Sequence, residues 1–209
     1  MNLVDYKSVI FDFDGVILDS NHIKKSAISS SIEGLMDREN SNSFVEYFVK
    51  FNGLPREEKI AKFFSGKQYF QVLDKYEKIL EKELNSAKIV PGVREFIVRL
   101  NQLNKGMIVL SGGTEKEVIN LLSERKLLSF FDSVHGGPCN KTENIKKISL
   151  KGPVLYFGDS LVDYKVSKEN NFDFVLVYGY TNMKNWAVDT KNWNVKCAIK
   201  NFKDEELVC

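Results

Sequence analysis

Short, uninterrupted apolar runs separated by helical patterns constrain this chain more than any other feature. They are Ser8-Val9-Ile10-Phe11, Gly106-Met107-Ile108-Val109-Leu110, Pro153-Val154-Leu155-Tyr156-Phe157 and Phe174-Val175-Leu176-Val177, with a weaker run at Ser133-Val134-His135. A segment apolar at every position suits a strand covered on both faces, and such strands are characteristically parallel. Parallel neighbours need crossovers, which the intervals supply as helical patterns over 93–103, 115–125, 142–148 and 161–170. Pro91-Gly92 opens the first of these, and Thr114 with Glu117 has the capping-box spacing for the second. The expected fold class is α/β, with a doubly wound, mostly parallel sheet.

One interval breaks this rhythm. Residues 20–88 carry no strand pattern, only helical segments over 23–34, 44–51, 56–64 and 69–84 joined by polar breaks such as Arg38-Glu39-Asn40-Ser41-Asn42. The block is too long for a loop. It predicts an all-helical insertion at 19–88, with 1–18 and 89–209 forming the α/β core. Neither an internal repeat nor a low-complexity tract is present. Trp186 and Trp193, in the less patterned C-terminal part, read as packing residues rather than ligand platforms.

At 209 residues the chain can bury one good core plus a smaller insert. Its 30 basic and 28 acidic residues nearly cancel, so charge gives no case for nucleic acid or a membrane surface as partner. Cys139, Cys197 and Cys209 lack metal-type spacing, and with two histidines a zinc site is not expected. The cysteines are read as free thiols in a reducing compartment. No basic segment followed by an apolar stretch opens the chain, and no apolar run reaches membrane-spanning length; the expected location is cytoplasmic.

In an open α/β sheet, ligands bind beyond the carboxyl ends of the strands, so the residues that end each run matter most. The first run ends in Asp12-Phe13-Asp14-Gly15-Val16. Carboxylates two residues apart on a strand point the same way. Their repulsion, about 4 kcal/mol at an effective dielectric near 20, is relieved by a cation between them or by a proton on one. The Leu110 run ends in Ser111-Gly112-Gly113, and the Phe157 run in Gly158-Asp159-Ser160-Leu161-Val162-Asp163. Between them, after Gly136-Gly137-Pro138-Cys139-Asn140, Lys141 begins a helix, a position where positive charge is mildly unfavourable. Taken singly, Ser111 also suits a plain turn and Asp163 a first-turn acid.

Together and in this order, Asp12-Phe13-Asp14-Gly15-Val16, Ser111, Lys141 and Gly158-Asp159-Ser160-x-x-Asp163 resemble the haloacid dehalogenase superfamily of phosphohydrolases. The likeness covers about residues 5–18 and 89–180 as a Rossmann-like core, with the helical block placed like that superfamily's cap. It implies that Asp12 attacks phosphorus to form an aspartyl-phosphate, and that Asp14 gives a proton to the leaving alkoxide and then takes one from water. It also implies Mg²⁺ held by the Asp12 carboxylate, the Asp14 backbone carbonyl and Asp159. Asp163 would sit beside this metal set, orienting a metal-bound water or Lys141. Ser111 and the Gly112 amide would bind phosphoryl oxygens, and Lys141 would neutralise the charge growing on them. A tyrosine-type residue stands in the Asp14 position of the dehalogenases proper, so carbon–halogen chemistry is not expected.

Phe51-Asn52-Gly53-Leu54-Pro55-Arg56-Glu57-Glu58 resembles the cap loop of β-phosphoglucomutase-like and phosphoglycolate phosphatase-like members. Arg56 would there reach a polar or anionic substrate group, while the same position also suits a surface arginine at a helix start. Mutase relatives have a histidine where this chain has Lys24, which counts against a mutase; His22 suits a hinge-region hydrogen bond. Asn170-Asn171 replaces a frequent Ala-Gly, a change expected to affect packing. The expected function is a Mg²⁺-dependent phosphatase of a small phosphomonoester such as a sugar, polyol or amino-alcohol phosphate. A sugar phosphomutase and a catalytically silent binding module are the alternatives, the latter disfavoured by the intact acidic and basic set.

Overall fold

The structure, a computed structural model, describes residues 2–204, so Cys209 lies outside it. Six strands form one parallel sheet: β1 (Ser8–Phe11), β2 (Gly106–Thr114), β3 (Ser133–Gly137), β4 (Val154–Gly158), β5 (Asp173–Val177) and β6 (Cys197–Ile199). Their order is β3-β2-β1-β4-β5-β6, a Rossmann-like arrangement. The chain steps outward from β1 through β2 to β3, then returns to the other side of β1 to lay down β4, β5 and β6. β1 is therefore the topological switch point, where such sheets open a crevice at the strand tips.

Burial explains the continuous apolar runs. Along β1, Val9 and Phe11 enter the apolar layer on one face while Ile10 enters the layer on the other. Phe11 stacks on Phe157 at 5.2 Å between ring centroids and meets Phe96 edge-on at 6.3 Å. The crossovers are helical. They are α5 (Val93–Gln102) before β2, α6 (Glu115–Glu124) before β3, α7 (Lys141–Ile145) before β4, α8 (Leu161–Glu169) before β5, and the short α9 (Trp186–Asp189) before β6. Trp193 stacks on Tyr164 at 4.4 Å, and Trp186 on Tyr178 at 4.0 Å.

Between β1 and α5 stand α1 (Asn21–Ser31), α2 (Arg38–Lys50), α3 (Arg56–Ala61) and α4 (Gly66–Glu83). α1 packs on α2 and α4, and α3 packs on α4. Phe44, Phe48, Ile60, Phe64, Val72 and Leu80 are buried among them. The chain enters and leaves this block side by side: Asp19 N donates to Lys88 O at 2.9 Å, and Val90 N to Ile17 O at 2.9 Å.

Several boundaries differ from the sequence pattern for identifiable reasons. The polar stretch Arg38–Asn42 is helical, not a break, because Asp37 caps α2 by accepting from Asn40 N at 2.8 Å. β2 continues past Leu110 through Ser111-Gly112-Gly113, and β6 was not marked by any apolar run long enough to read. Asn171 takes a left-handed φ of 55° just past α8, the position a glycine would otherwise fill.

Candidate active site

The register sets the site. Phe11 pairs with Val109 on one side and Phe157 on the other, so Asp12, Ser111 and Asp159 all lie within two residues of one rung. Asp12 N donates to Phe157 O at 2.9 Å, which fixes the first residue past β1 against β4. The Asp12 carboxylate then turns to accept from Phe13 N at 2.7 Å and from Lys141 Nζ at 2.6 Å, both on Oδ1. Lys141 opens α7 because Asn140 and Glu143 form a capping box there, and its side chain is fully buried.

Asp163 is held on all sides. Its Oδ1 accepts from Lys141 Nζ at 2.6 Å and Tyr156 Oη at 2.9 Å, and its Oδ2 from Ser160 N at 3.1 Å and Ser160 Oγ at 2.5 Å. Asp159 is different. Its Oδ2 accepts from Asn21 Nδ2 at 2.7 Å, but its buried Oδ1 has no partner among the described residues. Gly15, at φ 79°, lets the backbone pass this group; a Cβ there would stand 2.3 Å from Asp159 Oδ2.

Asp12, Asp159 and Asp163 each offer an oxygen within 4.8 Å of the others. Three buried carboxylates thus cluster near one ammonium, which bonds Asp12 and Asp163 but not Asp159. Burial and the charge of Asp163 push Asp12 up to about 7, against the pull of Lys141. Burial and the charges of Asp12 and Asp163 hold Asp159 well above the usual carboxylate range. Burial works against the Lys141 charge, but Asp12 and Asp163 outweigh it and keep that ammonium above the ordinary lysine range. The cluster is short of positive charge, and the unpartnered Asp159 oxygen marks where a hard divalent cation fits an all-oxygen donor set.

Asp14 faces the helical block instead. Ser20 Oγ donates to its Oδ1 at 2.5 Å and Lys24 Nζ to its Oδ2 at 2.5 Å. Burial opposes its ionisation, yet the Lys24 charge and these bonds hold it below the usual carboxylate range. Ser111 is fully buried, and its Oγ accepts from Gly113 N at 3.0 Å. Gly112 lies directly under the helical block: a Cβ there would come within 2.6 Å of the Gly53 backbone.

Arg56 is buried rather than at the surface, with its guanidinium 2.6 Å from Glu117 Oε2 and 3.7 Å from Glu77 Oε1. His22 stands apart, largely exposed and 3.3 Å from Asp19. Two lysines join the site beyond the motif residues. Lys24 bonds Asp14, and Lys59 is 4% exposed. Both carried a faint signal: Lys24 shares the helical stripe of Ala27, Ile28 and Ser31, and Lys59 stands beside buried Ile60.

Asp14, Lys24, Gly53, Arg56, Lys59 and Gly112 line a cavity between the helices and the strand tips, with about 10 Å³ free for the centre of a water-sized sphere. That is room for about one water. A groove of about 810 Å³ opens on the other flank, lined among others by Asn52, Asp159, Thr181, Met183 and Trp193.

Residues 9–177 match the family model described as haloacid dehalogenase-like hydrolase. Solved structures agree in fold. A haloacid dehalogenase-like family hydrolase of Streptococcus pneumoniae superposes with a TM-score of 0.73 at 15% identity, covering 99% of each chain. A predicted phosphatase of Clostridium acetobutylicum gives 0.77 at 20% identity, covering 97% of each. CbbY of Rhodobacter sphaeroides, solved in complex with phosphate, gives 0.71 at 16% identity over 96% of each. No curated protein matches the sequence significantly. The family match spans all six of Asp12, Asp14, Ser111, Lys141, Asp159 and Asp163, and the chain belongs to the haloacid dehalogenase-like hydrolases.

Proposed function

We propose that this hydrolase is a cytoplasmic Mg²⁺-dependent phosphatase that cleaves a small phosphomonoester through an aspartyl-phosphate on Asp12. The single observation that carries the reading is the Asp12 carboxylate, 2.6 Å from Lys141 Nζ and clustered with Asp159, whose second oxygen has no partner among the described residues. Phosphoryl transfer is governed by positioning and charge neutralisation, and this cluster suits both tasks.

The carboxylates of Asp12 and Asp159 and the backbone carbonyl of Asp14 would hold Mg²⁺. When bound, the ion supplies the positive charge that lets a carboxylate approach an anionic phosphoryl group. Asp12 Oδ2 makes no hydrogen bond to Lys141 and is the oxygen left to attack phosphorus. Lys141 pulls Asp12 toward its ionised form, against burial and the Asp163 charge, and neutralises the equatorial oxygens as their charge grows. Asp163 accepts from Lys141, Tyr156 and Ser160, and so acts as a positioning residue that aims the ammonium. Ser111 Oγ and the Gly112 N–H serve the phosphoryl oxygens.

Asp14 works on the other side of phosphorus. As a carboxylate it takes a proton from the water that hydrolyses the intermediate, and it delivers that proton to the next leaving oxygen. Lys24 must release its Oδ2 for the carboxyl to carry the proton. The helices at 19–88 act as a cap that seals the site, which the Gly53–Gly112 approach supports. Release of inorganic phosphate from a panel of small phosphomonoesters, with Mg²⁺ and again with excess chelator, tests the proposal. Turnover only with the metal is expected; undiminished turnover in chelator removes the metal assignment.

A further inference from the structure

Asp14 stands with both carboxylate oxygens already taken. Ser20 Oγ donates to Oδ1 and Lys24 Nζ to Oδ2, each at 2.5 Å. Contact between Asp14 and a reacting oxygen therefore requires one of these donors to let go. Lys24 is buried, so its ammonium, once released, needs another carboxylate rather than bulk water. One stands within reach. Glu117 Oε1 is 3.6 Å from Lys24 Nζ, too far for a hydrogen bond, and this buried oxygen has no hydrogen-bond partner among the described residues. Its companion Oε2 accepts from Arg56 at 2.6 Å, and Glu77 Oε1 lies 3.7 Å from the same guanidinium.

Glu117 has the spacing to close a capping box with Thr114, yet only half of that box forms. Thr114 Oγ1 accepts from Glu117 N at 3.3 Å, while the Glu117 carboxylate turns away to the helical block. Gly113 makes room for it there: a Cβ on this glycine would stand 3.0 Å from Glu117 Oε1 and 3.4 Å from Lys24 Nζ. The two groups thus meet directly over the residue whose N–H bonds Ser111 Oγ. We propose that Glu117 is a positioning residue that receives the Lys24 ammonium from Asp14 whenever Asp14 turns to the leaving oxygen or the attacking water. Lys24 keeps all its protons, and only the accepting carboxylate changes. Both arrangements pair the buried ammonium with a carboxylate, so the exchange leaves no lone charge. Arg56 aims Glu117 by holding Oε2, which leaves Oε1 for the lysine. This role for Glu117 rests on the phosphatase reading for the work of Asp14.

Asp14→Asn removes the charge at position 14 while keeping its shape, and a crystal structure of that variant tests the exchange. Lys24 Nζ is expected within about 3 Å of Glu117 Oε1, because an ionised acceptor outcompetes a neutral amide. An ammonium still bonded to the amide at position 14, and apart from Glu117, overturns the proposal. Kinetics supply a second test. Glu117→Gln retains an acceptor for Arg56 but removes the charge that receives Lys24. Its kcat/KM is expected to fall about 10²-fold for an alkyl ester such as glycerol phosphate, whose leaving oxygen needs a proton, and by less than about threefold for p-nitrophenyl phosphate, whose leaving oxygen does not. Equal losses on the two esters mark a purely structural role and overturn the proposal. The two readings fail separately: a wild type that releases phosphate from no ester removes hydrolysis, whereas the place of Lys24 in Asp14→Asn decides the exchange whatever the activity.

Discussion

The two walls of the site balance their charges differently. On the sheet side, Asp12, Asp159 and Asp163 surround one lysine, Lys141. On the helical side, Lys24, Arg56 and Lys59 stand with Asp14, Glu117 and the partly exposed Glu77. The sheet wall is short of positive charge, whereas on the helical wall Lys59 alone of the three cations forms no ion pair among the described residues, and burial makes both features expensive. The difference teaches what each wall lacks: a cation among the strand tips, and a counter-charge for the single lysine Lys59 under the helices. The proposed metal-assisted attack on an anionic phosphoryl group would supply the first.

The comparison breaks most visibly at Asp12. Asp12→Asn keeps the shape of the sheet wall but removes the proposed nucleophile, so phosphate release should fall by about 10⁴-fold or more with little change in melting temperature. The two lysines of the opposite wall should then part in sign. Lys24→Met leaves Asp14 buried and uncompensated, and is expected to cost about 3–5 kcal/mol in denaturant unfolding at neutral pH. Lys59→Met removes an uncompensated charge and is expected to stabilise by a few kcal/mol at pH 7.

That gain has a pH signature. The folded protein holds Lys59 near 7 and the unfolded chain near the ordinary lysine value of 10.5. Between those values the unfolded state binds the extra proton, so wild-type stability rises with pH there. The advantage of Lys59→Met should shrink from pH 7 toward pH 10, and an advantage constant across that range would show that Lys59 folds as an ordinary charged lysine. A smaller effect sharpens the sheet wall. Mg²⁺ should raise the melting temperature of the wild type by a few degrees and leave Asp159→Asn nearly unmoved, as expected for a ligand that binds only the folded site.

The two walls also differed in how far the sequence revealed them. Strand tips are conspicuous because an apolar run has a visible end. The residues just past that end, Asp12-Phe13-Asp14 in one run and Gly158-Asp159 in another, must lie at the sheet's carboxyl edge. The doubly wound order and the convergence of Asp12, Lys141, Asp159 and Asp163 were legible in this way from residue order alone. The helical wall offers no such ends. Lys24 and Lys25 are neighbours in sequence with the same side chain, yet Lys24 is buried on Asp14 while Lys25 is exposed. Only the phase of α1, with Ala27 and Ile28 on the buried stripe, distinguishes them. Lys59 is harder still, since α3 is six residues long and too short for a clear period. Boundaries failed where a local cap overrode composition, as at Asp37 before the polar residues 38–42.

The central claim is chemical: Asp12 carries the phosphoryl group between substrate and water. Protein quenched in acid during turnover of acetyl phosphate with Mg²⁺, digested and mapped by mass spectrometry, addresses it directly. One phosphoryl group on Asp12, absent in Asp12→Asn and enriched in Asp14→Asn, is the expected result. Continued turnover with Asp12 unmodified, or a phosphoryl group borne by another residue, contradicts the account.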